Sequence, residues 1–329
     1  MNSNERVRAA IAGAEVDRVP VSLWRHFPEQ DQTADDLAKV TIDWQNEWGW
    51  DFVKFMPPGD YATIDWGAET AFTGADGGNR TTTKPAIASV EAWESLKPVS
   101  VTSGFNGMVL EALRKARAGI DPEVPFLQTI FSPLTIAQKM TDGQIVDQLR
   151  SHPETVHAAL KVITEVTKDM VKASYEAGAD GIFFASQLTT RDVATEDEYR
   201  TFGVPYDYAV IEASRLARND GIIFFHTHGD DPMLNVAGEY GVDILNWHDR
   251  LTGPSLREGY EIVNTAVAGG INEQSIVDDT LEEVAAEARD AIASMNGRHV
   301  LVTPGCVIRY ATPDDRIRAV ADAVREGTS

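Results

Sequence analysis

Two histidines at the end of an apolar run could bind a metal ion. The run Gly-Ile-Ile-Phe-Phe at 221–225 is followed directly by His226, Thr227 and His228. Residues two apart on a strand point to the same side, so both imidazoles can converge on one point at the strand's C-terminal end. Paired neutral imidazoles suit a transition metal, and zinc above all.

The single cysteine of the chain, Cys306, could complete such a site. It follows a second apolar run, Val-Leu-Val-Thr-Pro-Gly at 300–305. A lone cysteine is often only a small buried apolar residue, and a histidine at a strand end often only donates to a carbonyl. Because zinc takes at least three protein ligands, His226, His228 and Cys306 together predict a metal site shared by two strand ends.

The composition is that of a globular protein without a nucleic-acid or anionic-membrane partner. The chain has 329 residues, 43% of them hydrophobic, and its net charge of −22 opposes binding to polyanions. One cysteine cannot form an internal disulfide, which fits a reducing compartment. The N-terminus has no apolar signal core, and no apolar run approaches the ~20 residues of a membrane span. We therefore expect a cytoplasmic protein.

Eight short apolar segments, most of them followed by helical patterns, have to position these residues. Continuous apolar runs are typical of strands buried on both faces, and eight such units predict a (β/α)8 TIM barrel formed by one domain over 1–329. The segments lie at 18–24, 51–56, 125–131, 181–184, 221–225, 242–246, 265–268 and 300–303. The stretch 60–84 alternates in polarity and predicts a hairpin insertion over the barrel mouth. An open doubly wound sheet would need a glycine-rich turn after the first strand, which 24–28 does not provide.

Active sites of such barrels lie at the C-terminal strand ends, and several further polar residues fall there. His248 could be a further metal ligand, a general base or the hydrogen-bond partner of a carboxylate. Arg25 and Arg191 could hold an anionic group, whereas Trp247 is the type of residue that forms a pocket wall. The remaining strand-end candidates are His26, Ser186, Gln187 and Asp249.

Several of these motifs resemble the uroporphyrinogen decarboxylase superfamily. They are His226-Thr227-His228-Gly229, Gly-Val-Asp-Ile-Leu at 241–245 and Thr-Pro-Gly-Cys-Val-Ile at 303–308. The superfamily includes decarboxylases and zinc-dependent, cobalamin-linked methyltransferases. The resemblance covers nearly the whole chain, and it implies a (β/α)8 barrel.

The chain is more similar to the methyltransferase branch than to the true decarboxylases. The decarboxylases open with Met-Arg-Gln-Ala-Gly-Arg, of which only Arg25 survives here, and their late Gly-His is Gly305-Cys306. Ser186 alone matches a decarboxylase pocket serine. The methyltransferases bind zinc through His-x-Cys and a late Gly-Cys. The resemblance therefore implies a zinc site of His226, His228 and Cys306, with histidine in place of the first cysteine.

The resemblance implies a zinc-dependent enzyme that moves a methyl group between a corrinoid and a thiol or methoxy-type substrate. Methylcobalamin would be the co-substrate, supplied by a corrinoid partner protein, to a monomer or homodimer. We expect catalytic roles for His248, Asp249 and Ser186. We expect substrate contacts from Arg25, His26, Gln187, Arg191 and Trp247. The alternatives are a metal-assisted decarboxylase or lyase acting on a small carboxylate, and a non-catalytic binding barrel.

Overall fold

A curled parallel sheet wrapped by helices forms the body of the protein. The computed structural model describes residues 1–326. Seven parallel strands pair in the order β1-β4-β5-β6-β7-β8-β9, and β2 and β3 form a separate antiparallel pair. The strands are β1 Val53–Phe55, β2 Glu69–Phe72, β3 Arg80–Lys84, β4 Phe126–Phe131, β5 Gly181–Ser186, β6 Ile222–Thr227, β7 Ile244–Asn246, β8 Ala266–Ile271 and β9 Val300–Pro304.

The eighth position of the barrel is filled by a short bridging segment around Val21. Ser22 N donates to Val302 O over 3.1 Å, and Asp51 N donates to Val21 O over 3.0 Å, so the segment joins β9 to the chain entering β1. The prediction of a regular strand at 18–24 is wrong. Pro20 has no N–H to donate, and the Val21 N–H is taken by the Asp51 carboxylate at 2.9 Å. The predicted barrel class is confirmed.

Helices follow most of the strands and cover the outside of the sheet. Four of them begin with a capping box, in which the side chain before the helix and a glutamate three residues later satisfy the first N–H groups, at Asn2, Thr195, Ser255 and Thr280. The helices are α1 Ser3–Ile11, α2 Ala34–Trp48, α3 Tyr61–Ile64, α4 Gly104–Ala118, α5 Pro133–Met140, α6 Ile145–Ser151, α7 Pro153–Glu176, α8 Glu196–Phe202, α9 Val204–Ala217, α10 Leu234–Gly238, α11 Leu256–Val263, α12 Leu281–Ser294 and α13 Asp314–Glu326. No helix within residues 1–326 has the length and apolarity to cross a bilayer.

The insertion after β1 contains both a helix and a hairpin. The strand-like alternation at 61–66 is misleading, because Tyr61–Ile64 is the helical turn α3, anchored by the Tyr61 hydroxyl on Thr129 O at 2.8 Å. The hairpin consists of β2 and β3 only. Its turn is fixed to the loop after β9, since Tyr310 N donates to Asp76 O over 2.7 Å.

The lower barrel interior is packed with aromatic rings. Phe183 of β5 and Phe224 of β6 stack with centroids 4.6 Å apart, and Trp24 meets Phe183 edge-on at 5.4 Å. These rings are buried. Such packing contributes about 0.5–1.5 kcal/mol per aromatic pair beyond the area that it buries. The aromatic floor, defined here as Trp24, Phe52, Phe183 and Phe224, therefore closes the barrel below the strand ends.

Candidate metal centre

A cavity of about 490 Å³ opens above the aromatic floor, at the C-terminal ends of the strands. Its wall includes residues from the strand ends together with Asn79 and Arg80 of the hairpin. This size is in the range of small-molecule sites. The hairpin thus covers part of the cavity mouth.

Four side chains of the types that bind transition metals converge in this cavity. His226, His228, His248 and Cys306 each offer one ligand atom, and the four atoms lie within 4.8 Å of one another. Parallel pairing explains the meeting, because β6, β7 and β9 all end on the same rim. The three residues predicted to bind a metal lie together, and His248, which was considered as a further ligand, lies with them.

Hydrogen bonds fix the orientation of His226. Its Nδ1 lies 2.6 Å from Asn246 Oδ1, and the two residues are register partners on β6 and β7. The Asn246 amide nitrogen donates to Ala268 O at 2.9 Å and to Pro304 O at 3.1 Å, so its oxygen must face the histidine. His226 Nδ1 is therefore the donor, and Nε2 is left as a metal ligand.

His248 is held in the same manner by a carboxylate. Its Nδ1 is hydrogen-bonded to Glu273 Oε1, which is fully buried, while its Nε2 lies 3.0 Å from His228 Nδ1. Burial lowers the pKa of His248, but the Glu273 hydrogen bond and the Cys306 charge raise it, and the net direction is upward. A carboxylate on the far nitrogen orients a ligating imidazole and increases its basicity.

The other two imidazoles are held neutral. Burial, followed by the neighbouring His248 and His228, lowers the pKa of His226 well below the ordinary histidine value. Burial and then Lys139 lower the pKa of His228. Neutral imidazole is the form that binds a metal, so the site need not lose protons from these two rings before an ion enters.

Two of the distances between donor atoms are close to those around a tetrahedral zinc ion. Zn–N bonds of about 2.0–2.1 Å and Zn–S bonds of about 2.3 Å place two nitrogens roughly 3.3 Å apart, and nitrogen and sulfur roughly 3.6 Å apart. Here His248 Nε2 and His228 Nδ1 are 3.0 Å apart, and His228 Nδ1 and Cys306 Sγ are 3.8 Å apart. Three imidazoles and a thiolate are a suitable donor set for zinc.

Gly305 allows Cys306 to reach the cluster. A Cβ at this position would lie 2.8 Å from Glu273 Oε2 and 2.9 Å from His248 Cα. Both approaches are closer than real Cβ atoms make, and the second involves backbone. Glycine before the cysteine is therefore required for the end of β9 to pack against the residues after β7 and β8.

Two of the five predicted substrate contacts line the cavity, namely His26 and Gln187. Burial, then Lys54 and Lys139, lowers the pKa of His26 to about 3, so this ring is neutral at pH 7. Trp247 lies outside the cavity, because its indole is buried beside α11 and donates to Pro254 O at 2.8 Å.

The two arginines expected to hold the substrate lie away from the cavity. The Arg25 guanidinium sits 4.8 Å from the Trp44 ring and donates to Tyr310 O at 3.2 Å, in a separate outer groove. Arg191 is on the surface and pairs with Glu196 at 2.8 Å. Arg191 follows β5 through a loop that leads to the surface, whereas Arg25 follows only the bridging segment around Val21, so distance along the sequence from an apolar run does not give the direction of a side chain.

Two residues predicted to be catalytic are buried behind the cavity wall. The Ser186 hydroxyl is 3.1 Å from the Tyr199 hydroxyl. Both Asp249 oxygens accept from Gly270 N, at 3.0 and 3.1 Å, and burial raises the pKa of Asp249 to about 7. The first contact joins β5 to α8 and the second joins the loop after β7 to β8, so both side chains hold neighbouring elements together.

Four important residues are absent from the sequence prediction, namely Lys54, Lys139, Asn246 and Glu273. The two lysines line the cavity. Lys54 could have been recognised from the sequence, since it is the one charged residue within the apolar run 52–56. Asn246 likewise ends an apolar strand, whereas Glu273 follows β8 in a loop whose direction the sequence does not reveal.

The family of the chain follows from its match to a family model. The model described as uroporphyrinogen decarboxylase (URO-D) matches residues 2–327. The chain belongs to the uroporphyrinogen decarboxylase family. This confirms the resemblance seen in the sequence motifs.

Relatives within the URO-D family include both methyltransferases and decarboxylases. The methylcobamide:CoM methyltransferase MtbA of Methanosarcina acetivorans is 22% identical over 243 residues, which are 74% of this chain and 70% of that protein. MtbA of Methanosarcina mazei is 21% identical over 98% of this chain and 97% of that protein. A uroporphyrinogen decarboxylase from an Anaeromyxobacter species is 27% identical over 66% of this chain and 62% of that protein.

Solved structures support the fold. A methyltransferase from Methanosarcina mazei superposes with a TM-score of 0.84 at 20% identity, over 100% of both chains. A B12-independent methionine synthase from Shewanella superposes with a TM-score of 0.60 at 14% identity, over 94% of both chains.

Proposed function

We propose that this URO-D family member is a zinc-dependent methyltransferase. It moves a methyl group between a corrinoid, carried by a partner protein, and a thiol or methoxy-type small substrate. The observation that carries the proposal is the cluster of three imidazoles and one thiol within 4.8 Å at the barrel mouth. The methylcobamide:CoM methyltransferases among the relatives support the same reaction class.

His226, His228, His248 and Cys306 would hold the ion. When bound, zinc would accept a substrate thiol as a fifth ligand or in exchange for one of the four side chains, and it would lower the pKa of that thiol from its ordinary ~8.5, so that the thiolate is available at neutral pH. We assign His248 to the ligand set and not to a general base, because its Nδ1 is occupied by Glu273 and its Nε2 faces the cluster. Asn246 and Glu273 position the two rings.

The reaction transfers the methyl group as a cation equivalent. The substrate sulfur forms a bond to the methyl carbon, the Co–C bond breaks, and both of its electrons stay on cobalt. The products are a thioether, cob(I)alamin and the proton released from the thiol. The aromatic floor closes the cavity from below, and Asn79 and Arg80 narrow its mouth, which limits the water around the nucleophile.

The second candidate is a metal-assisted decarboxylase or lyase that acts on a small carboxylate. The uroporphyrinogen decarboxylases among the relatives favour it, as does the position of Lys54 in the cavity, where an ammonium group can hold a carboxylate. It differs from the first candidate in needing no corrinoid.

Metal analysis and a corrinoid assay test the proposal. We expect about one equivalent of zinc in the purified protein, and formation of cob(I)alamin from methylcobalamin and a small thiol under anaerobic conditions. Cys306→Ser should abolish both. His152→Ala is the matched control, because His152 is exposed on the outer surface, and it should change neither.

Two outcomes would contradict the proposal. Protein that binds less than about half an equivalent of any transition metal, under conditions in which it is folded, has no such centre. Zinc-loaded protein that leaves methylcobalamin unchanged with every thiol and methoxy compound tried, and releases carbon dioxide from a small carboxylate, is a lyase.

A further inference from the structure

His228 differs from the other two histidines of the candidate metal centre in what holds its ring. A side chain outside the cluster orients the ring of His226, and another orients that of His248. Among residues 1–326, the ring of His228 has hydrogen-bond contacts with cluster members only, from its Nδ1 to His248 Nε2 at 3.0 Å and to Cys306 Sγ at 3.8 Å. The place of this ligand is therefore set through its backbone.

The segment 186–190, at the end of β5 and just beyond it, supports that backbone. Ser186 O accepts a hydrogen bond from His228 N over 3.0 Å. Thr189 O accepts one from the hydroxyl of Thr227, the residue between the two histidines, over 2.7 Å. The end of β6 is thus fastened to this segment at two successive residues.

The residue after the ligand is packed against the same segment. Gly229 has a φ of 117°, and a Cβ at this position would lie 2.5 Å from Thr190 Oγ1 and 2.6 Å from Thr190 Cβ. Because no other side chain fits there, glycine is required for the close approach. The segment 186–190 therefore supports the chain on both sides of His228.

A buried chain of hydroxyl groups fixes the segment 186–190 from behind the cavity wall. Thr189 Oγ1 lies 2.5 Å from Ser186 Oγ and donates to the Tyr199 hydroxyl over 2.7 Å. The Ser186 hydroxyl is itself 3.1 Å from that of Tyr199, which donates to Asp207 Oδ2. All four side chains are buried. They connect the end of β5 to α8 and α9.

The carboxylate gives this chain its direction. Tyr199 has one hydroxyl proton and directs it to Asp207, so its oxygen is left to accept from the two hydroxyls of the segment 186–190. Burial and then the Asp207 charge raise the pKa of Tyr199 well above 10, so the phenol keeps that proton. The Tyr240 hydroxyl donates to the same carboxylate oxygen over 3.0 Å.

The plain interpretation is that these side chains only pack α8 and α9 against the sheet, and it does not explain why they are polar. Asp207 Oδ1 has no hydrogen-bond partner within residues 1–326, which is unfavourable for a buried oxygen. Apolar side chains of similar size would fill the space without this penalty. A buried polar network does fix one arrangement of the elements that it joins, which apolar contacts do less strictly.

We propose that Tyr199 and Asp207 are positioning residues of the metal centre, which hold the segment 186–190 and through it the backbone of His228. The inference rests on the proposed function and adds two residues that fix a ligand of its zinc ion. Neither side chain touches the cluster, so both act only through the segment 186–190.

Zinc affinity of Tyr199→Phe, measured by chelator competition, tests the positioning role. We expect a loss of about tenfold, at the lower end of the range for partners outside the ligand set. Tyr175→Phe is the matched control, because its hydroxyl also contacts a hydroxyl, that of Ser214 at 2.7 Å, and lies beside Gly221 at the opposite end of β6. It removes a similar hydrogen bond and should change zinc affinity less than about twofold.

The spectrum of the Co(II)-substituted protein gives a second readout that loss of stability alone does not move. In Tyr199→Phe we expect the visible bands of the tetrahedral ion to shift, because His228 is displaced, while the charge-transfer band of Cys306 remains. Tyr175→Phe should keep the wild-type spectrum. If Tyr199→Phe does not fold, Thr189→Val breaks the same chain one step nearer the ligand and should have the same effects.

Hydrogen exchange on metal-free protein tests the support of His228 without any ion. The His228 amide is the donor to Ser186 O, so we expect it to exchange about fivefold faster in Tyr199→Phe than in the wild type. Tyr175→Phe should leave this amide unchanged relative to the amides within β6. This measurement stands even if the protein transfers no methyl group.

Two results would overturn the positioning role. The first is a Tyr199→Phe protein with wild-type zinc affinity and a wild-type Co(II) spectrum. The second is an equal loss of zinc affinity in Tyr175→Phe, which would mean that the site responds to overall stability and not to this chain. Both leave the proposed function standing, because wild-type protein would still bind zinc and form cob(I)alamin. Zinc-loaded protein that forms no cob(I)alamin would contradict only the proposed function.

Discussion

His226 Nδ1 lies 2.6 Å from Asn246 Oδ1, and this contact determines which nitrogen of the imidazole faces the candidate metal centre. Asn246 is itself fixed by its donations to Ala268 O and Pro304 O. One amide group therefore connects the ends of β6, β7, β8 and β9. The same side chain that joins these four strand ends sets the tautomer of a candidate metal ligand.

Replacement of this amide should affect both metal binding and stability. We expect Asn246→Ala to lower zinc affinity about 10–100-fold, because His226 loses its orienting partner. We also expect it to lower the free energy of unfolding by about 2–3 kcal/mol, because two buried carbonyls lose their donor. Chelator competition and urea unfolding measure the two effects. Asn219→Ala, at an exposed turn, is the control and should change neither zinc affinity nor stability. If Asn246→Ala left zinc affinity unchanged, Asn246 would not position His226.

Glu273 should be needed for metal binding although it does not face the ion. Its Oε1 accepts a hydrogen bond from His248 Nδ1, and its Oε2 is buried without a hydrogen-bond partner. We expect Glu273→Gln to lower zinc affinity about 10–100-fold, because a neutral amide raises the basicity of the imidazole less than a carboxylate does. Competition with a coloured chelator measures the change. Glu282→Gln, at an exposed position of α12, is the control and should bind zinc as the wild type does. If Glu273→Gln also bound zinc as the wild type does, His248 would not be a ligand.

Cobalt(II) substitution should report the thiolate directly. A Co(II) ion bound by Cys306 should give an intense near-ultraviolet sulfur-to-cobalt charge-transfer band together with the visible bands of a tetrahedral ion. Cys306→Ser should lose the charge-transfer band because oxygen does not produce it. His152→Ala should retain the whole spectrum. If Cys306→Ser kept the band, the sulfur would not be a ligand, since the chain has no second cysteine.

The barrel fold and the proximity of three candidate metal ligands could be predicted from the sequence for a simple physical reason. Parallel strands buried on both faces must be apolar, and the C-terminal ends of such strands share one rim. His226 lies on β6, and His228 and Cys306 follow their strands by one and two residues, so strand geometry still controls where they point. The segment 18–24 was predicted as a full strand because Pro20 and the Asp51 side chain, which interrupt its ladder, act through contacts that the pattern of apolarity does not contain.

The residues that could not be placed from sequence lie further from the strands or act through partners. Arg191 is five residues beyond the end of β5, and the loop between them turns to the surface. Glu273 meets His248 only because the loops after β7 and β8 fold towards each other. Lys54 is different, because a charged residue inside an apolar strand could have been recognised as a residue facing a cavity.

A buried carboxylate remote from the cavity should make stability depend on pH. Asp207 accepts from the hydroxyls of Tyr199 and Tyr240, and burial raises its pKa from 3.8 to about 7. The folded protein therefore binds a proton more tightly than the unfolded chain does. The stabilisation is complete below pH 3.8 and is lost as the pH rises through 7.

Asp207→Asn should remove this dependence. Between pH 5 and pH 8 the wild type should lose roughly 2.5 kcal/mol of unfolding free energy relative to the variant, which stays neutral throughout. Urea unfolding at several pH values measures the difference. Asp322→Asn, at an exposed position of α13, should follow the wild type. Parallel curves for Asp207→Asn and the wild type would mean that Asp207 is ionised at pH 5.

The buried ammonium group of Lys54 should destabilise the folded protein at neutral pH. Burial lowers the pKa of Lys54 from 10.5 to about 8, so the folded protein holds this proton less tightly than the unfolded chain does. The resulting destabilisation is complete below pH 8 and disappears above pH 10.5, and at pH 7 it is on the order of 3 kcal/mol. We expect Lys54→Met to raise the unfolding free energy of the metal-free protein by about 1–3 kcal/mol at pH 7 and by less at pH 9.5, measured by urea unfolding. Lys161→Met, at an exposed position of α7, is the control and should have an effect near zero at both pH values. A Lys54→Met protein that is less stable than the wild type at pH 7 would show that the contacts of the ammonium group with Phe183 and Trp24 already compensate its burial.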